Sequence, residues 1–458
     1  MFSFISPPIP WIAHEWVSEV IMAAVHRVFG LTGIVIFFSL LISTIYYILF
    51  KRLQSLQSNI LVALVVLIFT AASSQMHWLA RPHIFSLLFV LVWYCLLDAY
   101  QYDGKNILYL QVPLLLFWVN MHGGFIAGFI LNGFYIIGNF VAFFDSKDLE
   151  RSIHRKKVVF LGLTTAAGLV VTLINPYGYQ ILLFPFKLVM EKFIMNNIGE
   201  YLSPNFHVLW AIPFEAFLLF TLTVLALSIK RLNLVELLLT LLFLHMSLYS
   251  ARYIPLFGII VAPIVTRQFG QLLEDPKGKL VVFIRKKAAG FSKIDASASD
   301  FVWPAIGLIV VVLLAYSGRL VHNFDEDIKP ISASKFLEQE PIAGNMFNND
   351  EFGDYLIYRN YPAYKVFFDG RNDMYGVERF KEYIKVANFE PGWERILEKY
   401  SVTWIIFNSD SALSRFLMQK KDWRLIYADK VASIFLKNVP ENHKLIQKYQ
   451  YTQPFNVN

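Results

Sequence analysis

The chain has 458 residues, of which 56% are hydrophobic, 16% aromatic and only 16% charged, and its mean hydropathy is +0.49. That is far too apolar for a water-soluble protein and describes a polytopic membrane protein. The net charge of +7 would suggest nucleic acid in a soluble chain, but here the basic residues fall in loops between apolar runs, where they read as topology signals, and no nucleic-acid partner is expected. Cys95, the single cysteine, lies inside an apolar run, which excludes an intrachain disulfide and a cysteine-based zinc site.

Residues 1 to 10 hold three prolines and no basic n-region, so no cleavable signal peptide is expected. The next stretch, Trp11 to Glu19, sets two carboxylates and an imidazole just ahead of the first long apolar run. If residues 11 to 28 are helical, Glu15 and Glu19 share one face, and Trp16, Val20 and Ala24 form a neighbouring apolar stripe. Two readings stand: acids turned toward a cavity, or an ordinary amphipathic helix at the membrane surface. A zinc-protease pattern would need a second histidine where Ser18 stands.

Apolar runs follow at 30–50, 59–75, 83–99, 106–121, 124–143, 158–174, 210–228, 233–249, 253–267 and 301–318, which predicts about ten crossings. The weakest are 106–121, interrupted by Pro113, and 253–267, with Pro255 and Pro263. Lys147, Arg151, Arg155, Lys156 and Lys157 place their loop in the cytoplasm by the positive-inside rule. By alternation Lys51, Arg52, Lys105, Lys230, Arg231 and the segment 267–299, with Arg285, Lys286, Lys287 and Lys293, fall on the same side. The opposite, external side then collects the motifs below and everything after Arg319.

In Gln75 to His83, Pro82 is placed to open a helix, with Arg81 and His83 at its N-terminal end. Helix amides and a guanidinium make an anion site suited to phosphate; the competing reading is an arginine snorkelling to the headgroups. Asn120-Met121-His122-Gly123-Gly124 places an amide and an imidazole at a helix break, as a cavity lining or as a tight turn. Asn175-Pro176-Tyr177-Gly178 reads first as a helix stop. Glu191, Asn196, Asn197 and Glu200 follow in an interfacial helix and loop and are expected to be mostly solvated. Arg252, just before an external helix start, is a second candidate phosphate ligand.

From about Lys329 the composition becomes that of a soluble domain. Tyr355–Tyr358, Lys365–Phe368, Trp404–Asn408, Trp423–Ala428 and Ala432–Lys437 read as strands, and Ser332–Gln339, Gly376–Val386, Trp393–Tyr400 and Ala412–Lys420 as helices. The predicted organisation is therefore an external amphipathic segment at 1–29, an all-α polytopic membrane domain at 30–320 and a small extracytoplasmic α/β domain at 329–458. Asp369 and Arg371 follow the second of these predicted strands, at the strand end where α/β domains bind ligands, although Asp-Gly is also ordinary turn chemistry.

Taken in order, His14-Glu15, Arg81-Pro82-His83, Asn120 to Gly124, Asn175 to Gly178 and Asp369-Gly370-Arg371 resemble a group of bacterial multi-pass proteins that is itself similar to the GT-C class of glycosyltransferases. That resemblance implies sugar transfer from a polyprenyl-phosphate donor at the outer face of the cytoplasmic membrane to a lipid, polysaccharide or protein acceptor. It implies a carboxylate in the first external loop at the reaction centre, matched by position by Glu15 or Glu19. His14, Arg81, His83, Asn120, His122, Asn175, Arg252, Asp369 and Arg371 would bind substrates. GT-C proteins begin with a transmembrane helix ahead of this loop and commonly carry an adjacent acidic pair there; this chain starts within the loop and has no such pair. No cofactor is expected, and a divalent metal is not indicated. The alternative is a non-catalytic scaffold or transporter for envelope polymers.

Overall fold

A computed structural model describes residues 2–5, 11–56, 59–228, 230–274, 282, 286, 287, 290 and 302–455. Arg285 and Lys293 of the predicted basic segment lie outside the described residues. The chain divides into two compact units, Ala13–His322 and a second made of Met1–Ile12 with Asn323–Asn458. Residues 1–29, read from sequence as one external segment, are thus split between the two.

The first unit is helical: α1 Trp16–Leu56, α2 Ile60–Ser74, α3 His83–Tyr102, α4 Gln111–Met121, α5 Ile126–Asp145, α6 Asp148–Val171, α7 Gln180–Met190, α8 Lys192–Asn197, α9 Ile212–Leu227, α10 Leu234–Tyr249, α11 Ile254–Glu274 and α12 Val302–Tyr316. Six helices among the described residues are long and apolar enough to cross a membrane, those beginning at Trp16, Ile60, His83, Gly123, Leu209 and Ala251. Leu108–Met121, Gln180–Met190, Leu234–Tyr249 and Pro304–Tyr316 are apolar but shorter, so length supports six crossings where the hydropathy pattern predicts ten. The predicted crossing at 158–174 is the apolar half of α6, whose first turns carry Asp148, Glu150, Arg151, Arg155 and Lys156; the basic loop is largely helix.

Side-chain chemistry explains where helices start and bend. Asn59 caps α2 by accepting from the Leu61 amide, and Asn233 with Glu236 forms a reciprocal capping box on α10. Gly30 breaks α1 with φ 64°, a left-handed conformation costly for any residue with a Cβ, so the helix is bent between an N-terminal portion and the long apolar remainder. The proline-interrupted 253–267 run, a weak crossing on paper, is the centre of the unit. Phe257, Ile259, Ile260, Val261, Ala262, Ile264 and Val265 of α11 are fully buried, and α1, α2, α3, α9 and α10 all pack on this helix. Outer helices do the reverse: Ile68, Phe117, Phe144, Leu163, Val170, Leu219 and Leu241 stand exposed, a surface suited to lipid rather than water.

The second unit holds a four-stranded sheet of order β1-β2-β4-β3, with β1 Asn345–Asn348, β2 Val402–Asn408, β3 Trp423–Ala428 and β4 Ala432–Lys437. β1 and β2 run parallel and the other pairs antiparallel, so a helical crossover must separate the first two strands, and Asp350–Asn360, Asn372–Ala387 and Trp393–Lys399 supply it. Two strand predictions are corrected. Tyr355–Tyr358 belongs to the helix Asp350–Asn360, capped by Asn349, because Phe352, Tyr355 and Leu356 bury one face at helical spacing. Lys365–Phe368 is not a strand of the sheet: Val366 forms an isolated parallel bridge with Ser3, and the Asn348 side-chain oxygen accepts from the Phe367 amide at 2.8 Å while its amide donates to the Phe368 carbonyl at 2.7 Å.

Candidate functional site

Glu15 sits in the turn before α1, and its carbonyl accepts the Glu19 amide at 3.0 Å, closing the first helical turn. Three bonds pin this turn to neighbouring loops. The Ala13 amide donates to the Tyr177 hydroxyl at 3.0 Å, Trp16 Nε1 to Asn120 Oδ1 at 3.0 Å, and the Ser18 hydroxyl to the Met121 carbonyl at 2.6 Å. The helix thereby lays Glu15 against His122, whose Nε2 is 3.3 Å from Glu15 Oε1, while His14 Nε2 lies 3.4 Å from the same oxygen. Glu19, one turn on, is exposed.

The protonation of His122 follows from its other nitrogen. The Gly124 amide reaches Nδ1 at 2.9 Å, and an amide N–H can only donate, so Nδ1 carries a lone pair. The Ser86 hydroxyl, 2.7 Å from Nδ1, accepts from Trp118 Nε1 at 2.7 Å and therefore turns its own proton toward the imidazole. The ring proton is on Nε2, directed at Glu15. This tautomer makes His122 a donor to the carboxylate and not a metal ligand through Nε2, and among the described residues no group of three His, Cys, Asp or Glu is arranged to hold a metal. Gly124 is required here, since a Cβ would fall 2.6 Å from the Ser86 hydroxyl.

Burial pushes His122 down to about 3, with Glu15 opposing the shift, so the imidazole is neutral near pH 7. For Glu15, burial is the largest influence and works to raise the carboxyl. The His14 hydrogen bond, the Nε2–H of the neutral His122 ring, and nearby His14 and Arg252 together outweigh it and hold the group below its ordinary value. The result is an ionised carboxylate in a niche that retains 24% of its side-chain exposure, enough for a substrate to touch it.

Beside this niche lies a cationic group. Arg252 Nη1 donates to Glu200 Oε1 and to the Tyr201 hydroxyl, both at 2.7 Å, and Arg81 Nη1 is 3.5 Å from Glu200 Oε2. Glu200, expected to be solvated, is instead shared by two arginines. His83 and His77 stitch the loop to the bundle: His83 Nε2 donates to the His77 carbonyl and His77 Nε2 to the Ala251 carbonyl, each at 2.9 Å.

Two of the predicted ligands are occupied with structure. Asn120 accepts from Trp16 and donates to the Leu116 and Ile174 carbonyls at 2.9 and 3.0 Å. Asn175 donates to the Thr172 and Gly178 carbonyls and accepts the Tyr177 amide at 2.7 Å, an Asx-type helix stop that aims Tyr177 at Ala13. Asp369 and Arg371 belong to the other unit. There Asp369 is fully buried in a bidentate pair with Arg371, at 2.7 Å for each bond, and accepts the Tyr375 hydroxyl at 2.6 Å. The arginine lies over the rings of Phe2 and Trp11.

Sequence reasoning missed Ser86 and Trp118, which have no motif of their own, the bond that Tyr177 of the helix-stop motif makes to Ala13, and the role of Glu200. It also missed Asp98, which did carry a signal, being an acid inside an apolar run. Asp98 is buried and receives Arg52 and Arg267; Arg267 also bonds Glu236 at 3.0 Å and Arg52 meets Asp103 at 3.3 Å. Arg52 and Arg267, read from sequence as topology signals, are thus partners in an ion network at the end of α1, α3 and α11 opposite to Glu15.

No protein-family model matches the chain, and no curated protein aligns with it.

Proposed function

We propose that the chain is a membrane glycosyltransferase that moves a sugar from a polyprenyl-phosphate donor to an acceptor hydroxyl on the outer side of the cytoplasmic membrane. The observation that carries this reading is the Glu15 carboxylate, ionised, partly exposed and held by His122 in a fixed tautomer beside Arg252. In the reaction Glu15 takes the acceptor proton as the acceptor oxygen bonds to the anomeric carbon. The bond from that carbon to the donor phosphate breaks, and the departing phosphate keeps the electron pair. Arg252 and Arg81 then neutralise the charge that develops on it. Glu19 would take over as base only by turning inward from its exposed position. The unit that carries the sheet would recognise the acceptor.

A second reading is supported by the Asp98 network. A transporter needs charged groups governing both ends of its path, and this unit has one cluster at each end of α1, α3 and α11. Sugar transfer by reconstituted protein separates the two. Glu15→Gln keeps shape and helix propensity but removes the basic lone pair, so transfer should fall roughly a hundred- to ten-thousand-fold while the fold survives. Near-normal turnover in both Glu15→Gln and Glu19→Gln would sink the assignment. Undetectable turnover in the unmodified protein would shift it to the transporter.

A further inference from the structure

We propose that Arg252 and Arg81 form a phosphate site whose resident occupant is the protein's own Glu200, displaced when a phosphorylated lipid headgroup binds. The inference rests on the reading of these arginines as phosphate ligands and adds how the site is kept when no ligand is present. Glu200 uses one oxygen for each cation, Oε1 toward Arg252 and Oε2 toward Arg81, which is the bridging geometry of a phosphate with one oxygen fewer. Two guanidiniums share the single Glu200 carboxylate, and a phosphate in its place offers each of them an oxygen that carries more charge.

Displacement is cheap on this geometry. The Glu200 and Arg81 side chains are 29% and 59% exposed and 3.5 Å apart, so water already competes for that contact and only the bond to Arg252 has to be exchanged. The backbone is held independently of them. The Ser250 hydroxyl donates to the Glu200 carbonyl at 3.1 Å, the Ala251 amide to the Leu202 carbonyl at 2.9 Å, and the Ser203 hydroxyl to the Tyr249 carbonyl at 3.2 Å. Rotation of the Glu200 side chain therefore opens the site without moving the strap. Arg252 stays in place through the Tyr201 hydroxyl and ring, the latter 5.0 Å from the guanidinium. The same arginine bears on Glu15 and His122, so a phosphate held there lies within electrostatic reach of the carboxylate.

The test is equilibrium binding of farnesyl phosphate to the full-length protein in detergent, with farnesol and inorganic phosphate as parallel probes. Glu200→Gln, which keeps the size but removes the competing charge, should tighten farnesyl phosphate about tenfold, and Arg252→Gln should weaken it by at least as much. Farnesol should respond to neither. Tightening of inorganic phosphate in parallel supports a site that reads the phosphate alone; tightening confined to farnesyl phosphate supports one that also reads the lipid. Glu200→Ala serves as a second variant should Glu200→Gln fail to fold. Unchanged or weaker farnesyl phosphate binding in a folded Glu200 variant overturns the proposal, as does no binding by either protein. Sugar transfer is not the readout, so this outcome is separate from the fate of Glu15→Gln.

Discussion

Asp98→Asn should be among the most damaging single substitutions in the helical unit. The carboxylate is fully buried and takes hydrogen bonds from Arg52 Nε at 3.0 Å and from Arg267 Nη2 at 2.6 Å to each oxygen. Asparagine fits the space but leaves two guanidiniums, only 13% and 17% exposed, without their shared counter-charge. Breaking a buried pair from one side costs about 3–5 kcal/mol, because the remaining charge stays desolvated. Each arginine keeps one other acid, Asp103 for Arg52 and Glu236 for Arg267, which puts the expectation near the lower bound, about 3 kcal/mol. Asp103 supplies an internal control: its side chain is 36% exposed, so Asp103→Asn should cost no more than about 1 kcal/mol. Unfolding of the purified protein in mixed micelles, followed by helical circular dichroism, measures both. A loss below about 1 kcal/mol for Asp98→Asn would refute the view that this network holds α1, α3 and α11 together.

The folded-state value of His122 lies near 3, below the ordinary 6.5, so the unfolded chain binds more protons between those limits. The stability this histidine contributes is complete above pH 6.5 and is lost progressively toward pH 3, by up to a few kcal/mol; His122→Asn should flatten that part of the stability curve, and an unchanged slope would count against a buried neutral imidazole. For topology, cysteines placed at the exposed positions Ser152 and Ser203 in a Cys95→Ser background should differ in intact cells, only the second reacting with an impermeant thiol reagent. Equal labelling would remove the assignment of the Glu15 end to the outer side.

What the sequence made legible was whatever is written in local chemistry. Trp423–Ala428 and Ala432–Lys437 occupy the predicted residues because β-branched and aromatic side chains with turn residues between them leave little choice of register. The start of α3 at His83 was likewise readable from Pro82. Tyr355–Tyr358 failed because a short aromatic-aliphatic run has both strand propensity and, with Phe352, a helical face, and only burial decides between them. The α11 run was undervalued for a related reason. Prolines weaken a helix judged alone, but Pro255 sits in the first turn, where its amide needs no partner, and Pro263 lies among helices that bury it on every side.

The site divides along the same line. His14-Glu15 and His122 could be named from sequence because ionisable groups at the edges of apolar runs are costly unless they are used. What could not be named is the set of neutral groups that give them direction. Ser86, Trp118 and the Gly124 amide fix which nitrogen of His122 bears its proton, and Tyr177 fixes where Ala13, and so Glu15, begins the helix. Apart from the local Gly124 amide, these contacts join residues 32 to 164 positions apart, so they depend on separate helix ends meeting. Hydropathy reports that the ends exist and not which side chains meet there. The same holds for Glu200: its charge is visible in the sequence, but its sharing between Arg81 and Arg252 exists only once the 199–203 turn is strapped to the start of α11. A charged residue in a membrane protein therefore marks a place to look, and the neutral hydrogen-bonding groups around it determine what that charge can do.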